Sequence, residues 1–305
     1  MKTVAHIHFA RRTAGGSFML IQTYEQALAD RERILSKIDA TANAELLGKA
    51  KSMWNAYAPQ NGNSTVAGID SSWNLVMFQG YYLYAVEAVS SLADNSFLVP
   101  PRYTVDLSTL GAMEGSQVVF NPRLYLESLG MEFEYGLATE SAKKIDFVLV
   151  DGSVLARFYD RRLKKPIRFY EFARDLMAKE NIVFVSKTSE SNVILEGGVG
   201  DLFYFNKASR SPGFSSPYYD KIGVSVFYAR LAEFTPCIKV EVPGDVDNQR
   251  AERLLDLMSA KSYSGYPYVL RLAHERCKVA NEDMSRLANV LGLEIETGGR
   301  EVLGE

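Results

Sequence analysis

From Phe18 to Tyr57 apolar residues recur at three- and four-residue steps, with Leu20, Ile21, Tyr24, Leu28, Ile34 and Ile38 set among Glu, Arg and Lys. That period predicts one or two amphipathic helices. The breaker cluster APQNGNS, Ala58 to Ser64, ends it. Short apolar runs follow. Thr65–Asp70, Leu75–Phe78 and Tyr81–Val89 read as strands of a meander, with Gly80 where a turn or bulge is needed, and Phe97–Leu107 is again extended. Pro122, well tolerated in a first helical turn, opens a helical run to Lys144. Ile145–Asp151 is a continuous apolar run of the kind a buried central strand shows. Phe169–Glu180 then reads as helix, Ile182–Ser186 as buried strand, and Ile222–Tyr228 with Cys237–Val242 as a later strand pair. Asp247 starts a helix over Asn248–Ala260, and a second helical zone runs from Pro267 to Val290 with a break near Val279–Asn281.

This order predicts an α/β fold: a mixed central sheet flanked by helices, with helical regions at the N- and C-terminal ends. No internal repeat, low-complexity segment or long linker divides the 305 residues. The pattern suggests a helical arm over residues 1–60, suited to a partner or dimer contact, and a main domain over residues 61–305.

Composition narrows the class. Hydrophobic residues make up 47% and charged residues 23%, which fits a folded globular chain and argues against disorder. No run approaches the ~18 apolar residues of a membrane span, and Met1–Gly16 is too polar for a signal peptide. The protein is therefore expected to be cytoplasmic, without membrane attachment. Cys237 and Cys277 lack CxxC spacing and read as buried thiols. The net charge of −3 means that any phosphate backbone must meet a local basic surface. One is visible at Arg157 to Arg168, RFYDRRLKKPIR, where Arg157, Arg161, Arg162, Lys164, Lys165 and Arg168 face a single acid, Asp160. Phe158 and Tyr159 lie within it, and rings beside cations suit a single strand, which stacks its bases and needs its phosphates neutralised. A solvated loop is the plain alternative.

Two acids carry the candidate chemistry. Asp70 in AGIDSS and Asp151 in LVDGS each end a predicted strand, which sets them at the sheet edge where open α/β folds bind ligands. A divalent cation would balance their charge. Taken singly, each also reads as the opening of an Asx turn. Together, a strand aspartate, a meander, a helix with Glu and a second strand ending in Asp resemble the layout with which ribonuclease H-like enzymes gather carboxylates around two metal ions. The helix offers Glu127, Glu132, Glu134 and Glu140. Glu127 and Glu134, seven residues apart, share a face, while Glu132 points away. Glu134 lies on the stripe of Met131 and Ala138 and is the favoured third carboxylate, with Glu127 in reserve. His274 sits among Leu270, Leu272 and Ala273, where a histidine is more often a hydrogen-bonded core residue than a ligand. A Gly265-Tyr266-Pro267 turn just ahead of its helix sets it apart.

GIDSS at Gly68–Ser72, LVDGS at Leu149–Ser153, VSKTS at Val185–Ser189 and GYPYVLRLAH at Gly265–His274 resemble, in that order, the motifs of the NurA nucleases. The resemblance covers roughly residues 60–290. It implies a ribonuclease H-like core, a homodimer, and manganese-dependent (or magnesium-dependent) exonuclease and endonuclease action on single-stranded DNA. It also implies resection of duplex DNA ends in double-strand break repair, and a hexameric ATP-driven translocase, HerA, as partner. Carried onto this chain, Asp70, Asp151 and Glu134 would be metal carboxylates, and Tyr266 and His274 would complete the site, His274 as a ligand or in positioning water. Lys187 would face the phosphate or the attacking water.

Other signals read as structure. Glu196-Gly197-Gly198-Val199-Gly200 lacks the Lys-Ser/Thr of a phosphate loop, so no ATP site is expected. HIHFARR, His6 to Arg12, alternates like an edge strand or partner contact. The competing functions are a non-catalytic DNA-binding or assembly subunit and a phosphoesterase acting on small nucleotides.

Overall fold

The computed structural model describes residues 19–41, 43–60, 62–78, 80–109, 113–114, 117–118, 121–160, 173–260 and 262–293. They fall into two units that divide after Ala40. In the first, α1 (Ile21–Ala29) leads into α2 (Arg31–Thr41), and α1 buries none of its residues.

The second unit opens with α3 (Ala44–Ser52), whose cap Asn43 accepts the backbone N–H groups of Glu45 and Leu46. Next come β1 (Trp54–Ala56), β2 (Val66–Met77), β3 (Tyr81–Ser91), β4 (Phe97–Thr109) and a small hairpin of β5 (Met113–Glu114) and β6 (Gln117–Val118). α4 (Pro122–Ser141), β7 (Phe147–Asp151), α5 (Val154–Tyr159), β8 (Ile182–Ser186) and α6 (Asp201–Ala208) follow. Then come β9 (Gly213–Ser215), β10 (Tyr218–Tyr219), β11 (Val224–Arg230), β12 (Ile238–Pro243) and α7 (Asn248–Ser259). The hairpin β13 (Ser262–Tyr263) with β14 (Tyr266–Pro267), then α8 (Tyr268–Cys277) and α9 (Asn281–Val290), close the unit.

Ten strands form one mixed sheet in the order β1-β9-β11-β12-β8-β7-β2-β3-β4, with β10 beside β11. β2, β7 and β8 are parallel neighbours and the other pairs are antiparallel. An antiparallel meander, a helix, and then a strand parallel to the first is the ribonuclease H-like layout. β1 lies inside the segment read as a helical arm, yet pairs with β9 in this sheet.

β7 and β8 are apolar up to their last residue because both faces are covered. Val148 and Val150 of β7 pack toward α4 with Tyr135 and Ala138, while Leu149 packs toward α7 and α8 with Leu255, Val269 and Leu270. β2 departs from the expected pattern in being one long strand where two were predicted. Its polar middle broke the apparent alternation. Here Asp70, Ser72 and Asn74 face α8 and α9, while Ser71 faces α4: His274 Nδ1 lies 2.9 Å from Asp70, Val279 N–H donates to Ser72 Oγ and Asn74 donates to Val279 O. Ser71 Oγ donates to Glu134 of α4. Period two survives in the contacts, with polar groups serving both faces. Among the described residues, no helix is long and apolar enough to cross a membrane.

Candidate metal centre

The sheet itself brings the two aspartates together. β2 and β7 run parallel with Ile69 opposite Val150, the last pair in register. Asp70 and Asp151 are the next residue on each strand. Asp151 ends β7, but Asp70 lies inside β2, where the strand outruns β7 and leaves a notch in the sheet. The expected strand-end position therefore holds for Asp151 and not for Asp70.

α8 supplies the third group. Gly68 permits its approach: a Cβ there would sit 2.3 Å from the carbonyl oxygen of Val269. That close crossing sets His274, just over one turn along, over Asp70. Asp70, Asp151 and His274 each offer a ligand atom, all within 4.8 Å of one another. Asp70 is 7% exposed. Burial pushes its carboxyl up to about 7, the charges of Glu134 and Asp151 add to the shift, and the hydrogen bond and charge of His274 oppose it.

Around these three lie the other residues singled out in the sequence. Lys187 Nζ, just past β8, is 3.7 Å from Asp151 and 4.2 Å from the centre of the Tyr266 ring. Tyr266 stands on β14, next to a two-residue turn in which Ser264 and Gly265 both have positive φ, as a type I′ hairpin requires. Its buried hydroxyl is turned toward the Asp151 carboxylate, which accepts its hydrogen bond. Burial first, and then the charge of Asp151, hold it far above the usual phenol range, so it stays protonated and able to donate.

Glu134, 2% exposed, reaches the same cavity from α4. It accepts Ser71 Oγ and pairs with the Arg157 guanidinium. Glu127 is exposed and lines the cavity too. Arg157, expected on a basic DNA-facing surface, is turned inward here. The remaining cations of that run, Arg161, Arg162, Lys164, Lys165 and Arg168, lie outside the described residues, as does the segment from His6 to Arg12. The cavity measures about 490 Å³ and is also lined by Trp73.

Sequence reasoning missed Ser71, Trp73 and the inward course of Arg157. Splitting GIDSSW between two strand faces would have found the first two. It also missed Glu241, which explains the serine of LVDGS. Gly152, with φ of +105°, turns the chain out of β7, and Ser153 Oγ caps α5 by accepting Ala156 N–H while donating to Glu241 at 2.6 Å. Glu241 also accepts Leu155 N–H at 3.0 Å and pairs with the buried Lys239. Cys237 and Cys277 are free and buried as expected, and burial pushes the Cys237 thiol up to about 11.

Comparison with known proteins gives this geometry a family. A DNA double-strand break repair nuclease NurA from Sulfurisphaera tokodaii is 23% identical over 328 residues, covering 90% of this chain and 96% of the relative. The corresponding protein of Saccharolobus solfataricus is 24% identical, with the same coverage of both chains. The crystal structure of the NurA nuclease from Sulfolobus solfataricus superimposes with a TM-score of 0.74 at 18% identity, over 92% of this chain and 99% of that one. A crystal structure of NurA bound to dAMP and manganese superimposes at 0.64 with 9% identity, over 88% and 96%. The model of the NurA domain matches residues 64–279, a span that holds both aspartates, Glu134, Lys187, Tyr266 and His274. The chain belongs to the NurA family.

Proposed function

We propose that this protein is a metal-dependent deoxyribonuclease that hydrolyses phosphodiesters in single-stranded DNA and at duplex ends, in the end resection of double-strand break repair. The convergence of Asp70, Asp151 and His274 within 4.8 Å carries the reading. The Sulfurisphaera tokodaii relative, a DNA double-strand break repair nuclease, supports it, as does the NurA structure that holds dAMP and manganese.

The residues fit a hard divalent ion. Two carboxylates and an imidazole are a donor set that Mn²⁺ accepts, and Mg²⁺ would suit the carboxylates. Asp70, buried beside the charges of Glu134 and Asp151, is a carboxylate that a bound cation would stabilise. Asp70, Asp151 and His274 would hold the metal, with Glu134 or Glu127 as the third carboxylate. When bound, such ions stabilise the attacking and leaving oxygens of an in-line displacement at phosphorus. The protein does the positioning. Tyr266, kept protonated by burial, donates to a non-bridging phosphate oxygen. Lys187, 3.7 Å from Asp151, faces the phosphate or orients the attacking water. The cations Arg161, Arg162, Lys164, Lys165 and Arg168 neutralise the DNA backbone. A homodimer working with a HerA-type hexameric translocase completes the reading, on the strength of the motif resemblance.

The assay is degradation of end-labelled single-stranded DNA with and without Mn²⁺. Wild-type protein is expected to digest it only with the ion, and an Asp70→Asn, Asp151→Asn double variant that melts like wild type is expected to leave it intact. Undiminished digestion by that variant sinks the mechanism.

A further inference from the structure

Arg157 is the one cation of the basic run whose placement is described, and it does not face solvent. Its side chain is 19% exposed, paired with Glu134 at 3%. The guanidinium carbon lies 5.6 Å from the centre of the Tyr135 ring. Gly152 is also close, and a Cβ there would come within 3.2 Å of the guanidinium. A pocket is thus built for this cation: an aromatic face, a missing side chain and a buried carboxylate. The helix that carries Arg157 is fixed at its start by the Ser153 cap and by Glu241.

Glu134 is the carboxylate that stands apart. The ligand atoms of Asp70, Asp151 and His274 lie mutually within 4.8 Å, and Glu134 is not in that group. Its oxygens are instead committed to Arg157 and Ser71. A carboxylate cannot give the same oxygen at full strength to a guanidinium and to a hard divalent ion, so the two compete.

We infer that Arg157 is a resident counter-ion: it holds Glu134 against competition from a divalent ion, and it hands that carboxylate to the ion only when a DNA phosphate takes the guanidinium. This rests on the metal-dependent reading of the site. Arg157 lines the cavity together with Asp70 and Asp151, so a phosphodiester bound there would lie within reach of its planar fork. The arrangement makes the ion positions unequal. One, at Asp70, Asp151 and His274, is open to metal alone. The one that needs Glu134 is weak until phosphate binds, and metal and DNA then raise each other's affinity, as linkage requires. Arg157 is in this sense a positioning residue for Glu134.

The test is Mn²⁺ binding by the full chain, followed by the loss of the free-ion paramagnetic signal, with and without a non-cleavable phosphorothioate oligonucleotide. Wild-type protein is expected to take one tight equivalent without DNA and a second with it. Arg157→Gln is expected to take the second without DNA, with an affinity raised about tenfold or more, a typical size for such a coupling. Arg157→Lys, which keeps the charge without the fork, serves if the glutamine variant melts below the assay temperature, and is expected to fall between the two. An Asp70-dependent equivalent in wild type, with binding unchanged in both Arg157 variants, overturns the counter-ion role and leaves the metal site standing. No binding in wild type that Asp70→Asn removes overturns the metal site itself.

Discussion

Small residues beside Asp70 do structural work that their size alone makes feasible. Gly68 lets the backbone of α8 cross β2, since a Cβ would meet Val269 O at 2.3 Å and its carbonyl carbon at 2.4 Å. Both are backbone atoms and cannot rotate aside. Gly68→Ala is therefore expected to lower stability by about 1–3 kcal/mol, the usual cost of overpacking, and to pull His274 off Asp70. Urea denaturation measures it, and an unchanged midpoint would show that α8 does not depend on the gap. At this scale the sequence was informative about residue type and weaker on placement. Asp70 and Asp151 stood out because each follows an apolar run. That Asp70 lies mid-strand depends on where β7 ends, a property of the partner strand that the sequence of β2 does not contain. Arg157 read as solvent-facing because its neighbours in sequence are cations. Its course is set by Gly152 and by Glu134, 23 residues away.

Among elements, the short helix α5 illustrates how a buried charge can fix a site residue. Glu241 and Lys239 are 1% and 2% exposed, and Glu241 also receives Ser153 and Leu155. Removing one partner of a buried pair leaves an uncompensated charge, at a cost of about 3–5 kcal/mol. Glu241→Ala is expected to fall in that range, while a Lys239→Met, Glu241→Ala double variant recovers part of the loss. Strictly additive effects in that cycle would mean the two residues are energetically independent. Element recognition followed length. α4 was legible to within three residues at its end because Asn121 caps it, accepting Arg123 and Leu124 N–H, and Pro122 opens it. β7 and β8 were legible as apolar runs. β1, β9 and β10 have only two or three residues each and show no period of their own. Their strand state comes from pairing with distant segments, as with Trp54 opposite Ser215.

For the molecule as a whole, a net charge of −3 gives no general attraction to DNA, so affinity must come from a few local cations. Replacing Arg161, Arg162, Lys164, Lys165 and Arg168 by alanine is expected to flatten the salt dependence of single-strand binding, by roughly 0.7 in log–log slope for each phosphate no longer neutralised. Fluorescence anisotropy over a salt series measures the slope, and a slope equal to wild type would place the DNA-binding cations elsewhere. The central claim concerns the sheet notch, where strand register and the crossing of α8 make one site from residues 204 apart in sequence. Crystals of the full chain soaked in Mn²⁺, with diffraction collected above and below the manganese absorption edge, test it most directly. An anomalous peak within coordination distance of the Asp70 and Asp151 carboxylates is the predicted result. Manganese ordered only at other residues, or absent from the notch at saturating concentration, would contradict the account.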